Sequence, residues 1–221
     1  MKRTLKVAAV LGALLVLAAL VLVGDGERII PEGEGTVELD AGEFEVFPLP
    51  DYAAAVVSND YKSYFIEVEP GIKIHVLEIG EGYPVYLQHG NPTTGLLYRK
   101  VVESLPLDSF RAIMPTMVGL GFSTKVPASE HTLDNHMRWM NSVLKTLNLT
   151  EVVFVGQDWG GPVGMGALSL SPGVLKGAVV MNTGVRAPRV PMDLSRAHAL
   201  VKTPLVGELL VEAMFLYFLR V

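Results

Sequence analysis

The sequence predicts an α/β protein whose mostly parallel sheet is covered by helices on both faces. Three observations lead there. From Tyr64 onward, short runs rich in Val, Ile, Tyr and Phe alternate with one stretch of helical periodicity and one glycine-rich stretch. Several of those runs are apolar throughout, as strands buried on both faces are. Half of the 221 residues are hydrophobic and 19% are charged, which excludes a disordered or low-complexity chain.

The elements follow in order. Residues 64–68 and 73–77 flank Pro70-Gly71 and read as a hairpin. Residues 84–88 and 111–115 are two further strands. Leu133, Met137, Met140, Val143, Leu144 and Leu147 recur at helical spacing behind Thr132, a good N-cap. Residues 151–155 form a buried strand, 160–170 a helix packed closely on it, and 176–181 a last strand. The stretch 25–50 is acidic and carries Pro31, Pro48 and Pro50, so it reads as an acidic linker leading to a first edge strand.

The N-terminus differs in kind. Residues 1–24 hold Lys2, Arg3 and Lys6 and no acid, and no charge occurs from Val7 to Gly24. A spanning helix takes roughly 17–25 apolar residues, and the apolar part of a signal peptide about 7–15. The segment reads as a signal anchor or a signal peptide, with a buried helix as the bland alternative. Leading positive charges keep the N-terminus inside. The expectation is a membrane-anchored or exported protein, with N-terminal membrane contact and its body outside the cytoplasm.

Composition narrows the function. The net charge is −5, with no basic surplus, so nucleic acid is not an expected partner. The cysteine count is zero, which excludes disulfides, thiolate zinc sites, iron–sulfur clusters and cysteine nucleophiles.

In a parallel sheet, ligands sit beyond the carboxyl ends of the strands, and two motifs fall there. In Gly156-Gln157-Asp158-Trp159-Gly160, glycines two residues either side of a central residue permit a sharp strand-to-helix bend that lifts the central side chain above the sheet. That residue is Asp158, whose carboxylate is a nucleophile without help from a base. Trp159 beside it offers an indole N–H that only donates. The competing reading is an aspartate capping a helix, with the tryptophan in the core. The second motif is His89-Gly90-Asn91-Pro92-Thr93, where a loop can turn backbone N–H groups toward the nucleophile. A plain Gly-Asn-Pro turn is the alternative. The glycines at 160, 161, 164 and 166 lack a following Lys-Ser/Thr and read as close helix–sheet packing, not a phosphate loop.

HGNPTTGLLYRK (89–100), RAIMPTMVGLGFS (111–123) and VVFVGQDWGGPVG (152–164) together resemble the haloalkane dehalogenases of the α/β-hydrolase fold. The resemblance implies that Asp158 attacks the halogen-bearing carbon. It implies that the Asn91 side-chain amide and the Trp159 indole hold the halide, and that the backbone N–H groups of Asn91 and Trp159 form an oxyanion hole. It implies a small haloalkane or related apolar substrate, and no metal or organic cofactor. It divides the chain into the N-terminal part of a hydrolase core (51–184) and the start of a cap (185–221). Arg99 matches a family arginine of structural role. Thr116 and Thr124 stand where relatives usually have aspartate.

The family also needs a histidine to activate water and an acid to orient it, on later parts of the fold. Asn182-Thr183-Gly184 occupies the place where some members carry the acid. None of His75, His89, His131, His136 and His198 fits the base, and each is expected to be structural or solvent-facing. The expectation is therefore a fold incomplete at its C-terminus, the N-terminal part of a longer protein. An epoxide hydrolase or other aspartate-nucleophile hydrolase stays open, with Tyr217 the one tyrosine after residue 185. So does a non-catalytic binding protein on a hydrolase scaffold.

Overall fold

The computed structural model describes residues 27–185, 196–201, 203, 206–207 and 210. The N-terminal segment 1–24, read as an anchor or signal, lies outside the described residues, as do Tyr217 and most of the stretch read as a cap. Among the described residues, no helix is long and apolar enough to cross a membrane.

Residues 26–187 form one compact unit built on eight strands: β1 (Thr36–Leu39), β2 (Gly42–Val46), β3 (Lys62–Glu69), β4 (Ile72–Ile79), β5 (Tyr83–Gln88), β6 (Phe110–Pro115), β7 (Val152–Gln157) and β8 (Leu175–Met181). Their order across the sheet is β1-β2-β3-β4-β6-β5-β7-β8. The helices are α1 (Asp51–Ala54), α2 (Arg99–Val102), α3 (Leu133–Thr146) and α4 (Gly160–Ser169). A short helix α5 (Arg196–Val201) belongs to a separate unit.

The sheet is mixed, which corrects the expectation of mostly parallel pairing. From β1 to β4 and on to β6 the pairing is antiparallel, and from β6 through β5 and β7 to β8 it is parallel. The stretch 25–50 is likewise more than a linker. It contains the β1–β2 hairpin, whose Phe44 packs against Tyr64 with ring centroids 5.3 Å apart. Leu39 and Phe44 face inward while Glu38 and Glu43 face water, so the acids hide a two-residue alternation.

Both faces of the central strands are buried. Val76, Tyr86, Ile113 and Phe154 pack on one side with Trp139, Met140, Val143 and Leu144 of α3 and Val163 and Ala167 of α4. Their neighbours Leu77, Leu87, Ala112 and Met114 pack on the other with Tyr98 and Val102. α3 starts where expected, because Thr132 Oγ1 accepts the Asn135 N–H at 3.2 Å. α4 lies close on the sheet because glycines face it. A Cβ on Gly160 would stand 2.0 Å from the Gln88 carbonyl oxygen, and one on Gly164 2.4 Å from the Phe154 ring.

One buried polar network stabilises this frame. Buried Glu78 accepts from the Tyr64 hydroxyl at 2.6 Å and from both Nε and Nη2 of Arg111 at 2.9 Å. Among the described residues β8 lies at the edge of the sheet, and Val179, Val180 and Met181 near its end are exposed.

Candidate active site

The chain bends sharply at the end of β7. Asp158 has φ 53°, a left-handed backbone that a side-chain-bearing residue rarely adopts. Glycine would enter it without strain, so aspartate there means that the side chain is used or held. It is held. The Asn91 backbone N–H donates to Asp158 Oδ1 at 2.9 Å, and the Thr183 hydroxyl donates to the Asp158 carbonyl oxygen. Gly161 makes room for that second contact, since a Cβ there would meet Thr183 Oγ1 at 2.0 Å. Gly90 makes room for the carboxylate in the same way.

The loop that carries Asn91 is braced by His89. Its Nδ1 lies 2.8 Å from the Gly90 carbonyl oxygen, and its Nε2 lies 3.0 Å from the Met117 backbone nitrogen. The carbonyl can only accept and the amide can only donate, so the ring is neutral with its proton on Nδ1. Burial pushes its pKa down to about 4. The structural role expected of His89 therefore has a specific form: it ties the loop after β5 to the loop after β6.

Asn91 and Trp159 meet in a cavity of about 520 Å³, lined also by Met117–Leu120, Val163 and the segment 131–133 with His136. Trp159 is 53% exposed and Asp158 half-buried. The three residues singled out from the sequence thus come together: a carboxylate held on a backbone donor beside two groups that share one pocket. Asn91 and Trp159 are part of the pocket's lining, and Asp158 stands next to it on the Asn91 backbone N–H without itself lining the space. A second cavity of similar size, near Arg111 and Asn148, opens at the amino ends of the parallel strands, away from this chemistry.

His131 and His136 depart from the expectation, since both line the pocket. His131 Nδ1 lies 3.1 Å from His136 Nε2, the ring planes are 23° apart and the centroids 5.4 Å apart. The rings therefore lie end to end, with one N–H between two nitrogens. Burial lowers the pKa of both, that of His136 to about 4. The other nitrogen of His136 is buried without a partner. His75 sits in β4, its Nε2 against Ser63 Oγ at 3.0 Å, among Phe47, Phe65 and Phe122. The four described histidines are thus engaged elsewhere than at Asp158. The side chain of His198 lies outside the description.

The two threonines that replace aspartates are accommodated. Thr116 Oγ1 accepts the Gly95 N–H at 3.1 Å and Thr124 Oγ1 the Lys73 N–H at 2.9 Å. Arg99 Nη1 donates to the Leu96 carbonyl oxygen at 3.1 Å, a local structural bond. Thr183 is a residue that sequence reasoning missed; only its position after β8 marked it. Among the described residues, no group of three or more His, Asp or Glu side chains is arranged to hold a metal.

Comparison with known proteins identifies the fold family. The alpha/beta hydrolase fold family matches residues 83–217. The chain is 34% identical over 155 residues to the cis-3-alkyl-4-alkyloxetan-2-one decarboxylase of Shewanella oneidensis, covering 69% of this chain and 48% of that protein. It is 35% identical over 111 residues to haloalkane dehalogenase 2 of Mycobacterium tuberculosis, covering 50% of this chain and 38% of that one. Among solved structures, the haloalkane dehalogenase DatA from Agrobacterium tumefaciens C58 superposes with a TM-score of 0.53 at 29% identity, covering 58% of this chain and 43% of that one. The epoxide hydrolase VrEH1 from Vigna radiata superposes at 0.51 and 29%, covering 61% and 42%. The chain spans about half the length of these relatives, or less.

Proposed function

Since the chain belongs to the α/β hydrolase fold family, we propose that it carries the nucleophile half of a haloalkane dehalogenase-like hydrolase. In this reading an Asp158 oxygen attacks a saturated carbon, and the carbon–halogen bond breaks with its electron pair leaving on the halide. The Asn91 amide and the Trp159 indole donate to that halide. Water then adds at the ester carbonyl carbon, releasing the alcohol and returning Asp158 to its carboxylate. The backbone N–H groups of Asn91 and Trp159 hold the oxyanion of that step. The histidine and acid that direct the water belong to parts of the fold outside residues 27–185.

One observation carries this reading: Asp158 stands at φ 53° with its carboxylate on the Asn91 N–H, against a pocket that Asn91 and Trp159 share. The experiment is intact-mass spectrometry of the chain after exposure to 1-bromobutane. A butyl adduct on Asp158, absent from Asp158→Ala, is the expected outcome. An adduct of equal yield in the variant, or none in the wild type, overturns the proposal.

A second reading is favoured by the longer match to the Shewanella oneidensis decarboxylase. A dialkyl oxetan-2-one presents a strained ester to the same carboxylate. A panel of bromoalkane, epoxide and dialkyl oxetanone separates the three chemistries by halide, diol or carbon dioxide released. The full-length protein is the sample for turnover.

A further inference from the structure

The pocket wall opposite Asn91 and Trp159 comes from the two ends of one connection, that between β6 and α3. Met117–Leu120 lie at its start and His131 and Thr132 at its end. Its only regular structure is a single turn of 3₁₀ helix, Ala128–Glu130. Connections longer than about 12–15 residues without structure of their own are uncommon and are usually functional or mobile.

The first half is tied to itself and to the sheet. Gly119 N–H donates to the Thr124 carbonyl at 2.8 Å, Thr124 N–H to that of Lys73 at 2.9 Å, and Ser123 Oγ to that of Thr116 at 2.7 Å. The Lys125 ammonium caps the Gly121 and Ser123 carbonyls at 2.6 and 2.9 Å.

The second half is held by a segment almost a hundred residues earlier. Ile29 and Lys125 exchange both backbone hydrogen bonds, at 3.0 and 2.9 Å. The Arg28 guanidinium grips the Glu130 carboxylate with two parallel bonds, Nε to Oε1 at 3.1 Å and Nη2 to Oε2 at 2.7 Å. Its third nitrogen donates to the Pro70 carbonyl at 3.3 Å. Gly71 in the same β3–β4 turn lets Ile30 lie down, since a Cβ there would stand 3.2 Å from Ile30 Cδ1. Glu130 is also bonded forward, its carbonyl accepting from Asn135 Nδ2 in α3 at 2.8 Å. The next residue is His131, whose ring covers Gly119 and meets His136 end to end.

We propose that residues 28–30 are a strap that sets the pocket wall, with Arg28 as a positioning residue. Through Glu130, Arg28 fixes where His131 stands and hence the depth of the space before Asn91 and Trp159. A fork-to-fork pair suits this work, because two parallel bonds fix direction as well as distance. An exposed pair adds little to global stability, so its effect is local. The assignment rests on the pocket being the substrate site, but its test uses no catalysis.

The test is hydrogen–deuterium exchange on the 221-residue chain, comparing wild type, Arg28→Glu, Glu130→Arg and the double charge swap. Each single variant is expected to speed exchange across residues 125–133 by roughly fivefold, the scale an exposed ion pair controls. Amides of β5 and β7 keep their wild-type rates, and the double swap returns the loop toward wild type. Iodide quenching of tryptophan fluorescence reports the pocket separately, since Trp159 is exposed and Trp139 buried. Quenching rises in both single variants and falls back in the swap. Unchanged loop exchange in the single variants overturns the proposal. So does acceleration spread evenly over the sheet, or a swap that restores nothing. Failure of Asp158 to take an alkyl group would remove the proposed reaction and leave the exchange result standing.

Discussion

Adding one methyl group at Gly90 tests the geometry on which the site depends. A Cβ built there falls 2.3 Å from Asp158 Cβ, 2.4 Å from Oδ1 and 2.8 Å from Cγ, where ordinary contact begins at 3.4 Å. Rotating the Asp158 side chain relieves the clash with the oxygen but not with Cβ, whose place is set by the bend at φ 53°. One of the two loops has to move by about 1 Å, and overpacking of this kind costs about 1–3 kcal/mol. For a chain of this size each kcal/mol lowers the melting temperature by roughly 2–4 °C, so Gly90→Ala is expected to melt roughly 2–12 °C lower. The same change at Gly177 in β8 is the control, since its added Cβ meets only Val153 Cγ2 at 3.8 Å. Alanine also loses less backbone freedom than glycine on folding, so Gly177→Ala should melt at or above the wild-type temperature. Circular dichroism at 222 nm on the three proteins decides it. If Gly90→Ala is as stable as Gly177→Ala, residues 90 and 158 do not approach as described.

Glu78→Gln removes the charge that faces Arg111 in a site where the two side chains are 3% and 17% exposed. Breaking a buried pair from one side costs about 3–5 kcal/mol, read as a lower urea midpoint; a loss below about 1 kcal/mol would mean that water already solvates Arg111. Stability should also depend on pH through His75 and His89, which are buried, and His136, which is half-buried. Burial lowers the folded pKa of His75 to about 3, and of His89 and His136 to about 4, from 6.5. Unfolded histidines take up protons that the folded ones refuse, so stability falls as pH drops from about 6.5 toward 4 and is fully present above that window. Urea midpoints at pH 7.5, 6 and 5 measure the fall, and His89→Gln should make it shallower; equal slopes in the two proteins would place the His89 ring in water.

The elements nearest the chemistry were legible because each has a local cause. The apolar runs at 84–88, 111–115 and 151–155 lie within β5, β6 and the start of β7 with displacements of one or two residues. The elbow was legible from glycines at 156 and 160 around one carboxylate, since close backbone approach leaves few other choices there. What stayed hidden depends on partners distant in sequence. The β1–β2 hairpin alternates as a strand should, but Glu38, Glu43 and Glu45 give its solvent face the composition of a linker. That β4 runs antiparallel to β6 leaves no trace in either strand. His131 and His136 meet at the pocket where the long connection after β6 runs into α3, and nothing local reports that. Their one sequence signal was the N-cap at Thr132, which puts His136 in the first turn of α3 beside the loop that ends in His131. Thr183 was noticed for lacking an acid; its hydroxyl on the Asp158 carbonyl became visible only with both loops in place.

Among the described residues β8 is the outer strand of the sheet, and this has a consequence for how the 221-residue chain behaves in a tube. β8 carries Val179 and Val180 at 51% and 47% exposure, pointing to opposite sides of the sheet. A ribbon that is greasy above and below, with a row of amides along its rim, is a template for any other ribbon that drifts near. The neighbouring Lys176–Glu151 contact places ionic groups beside the start of that strand. Protein concentration will therefore decide whether this polypeptide is studied as single molecules or as clumps.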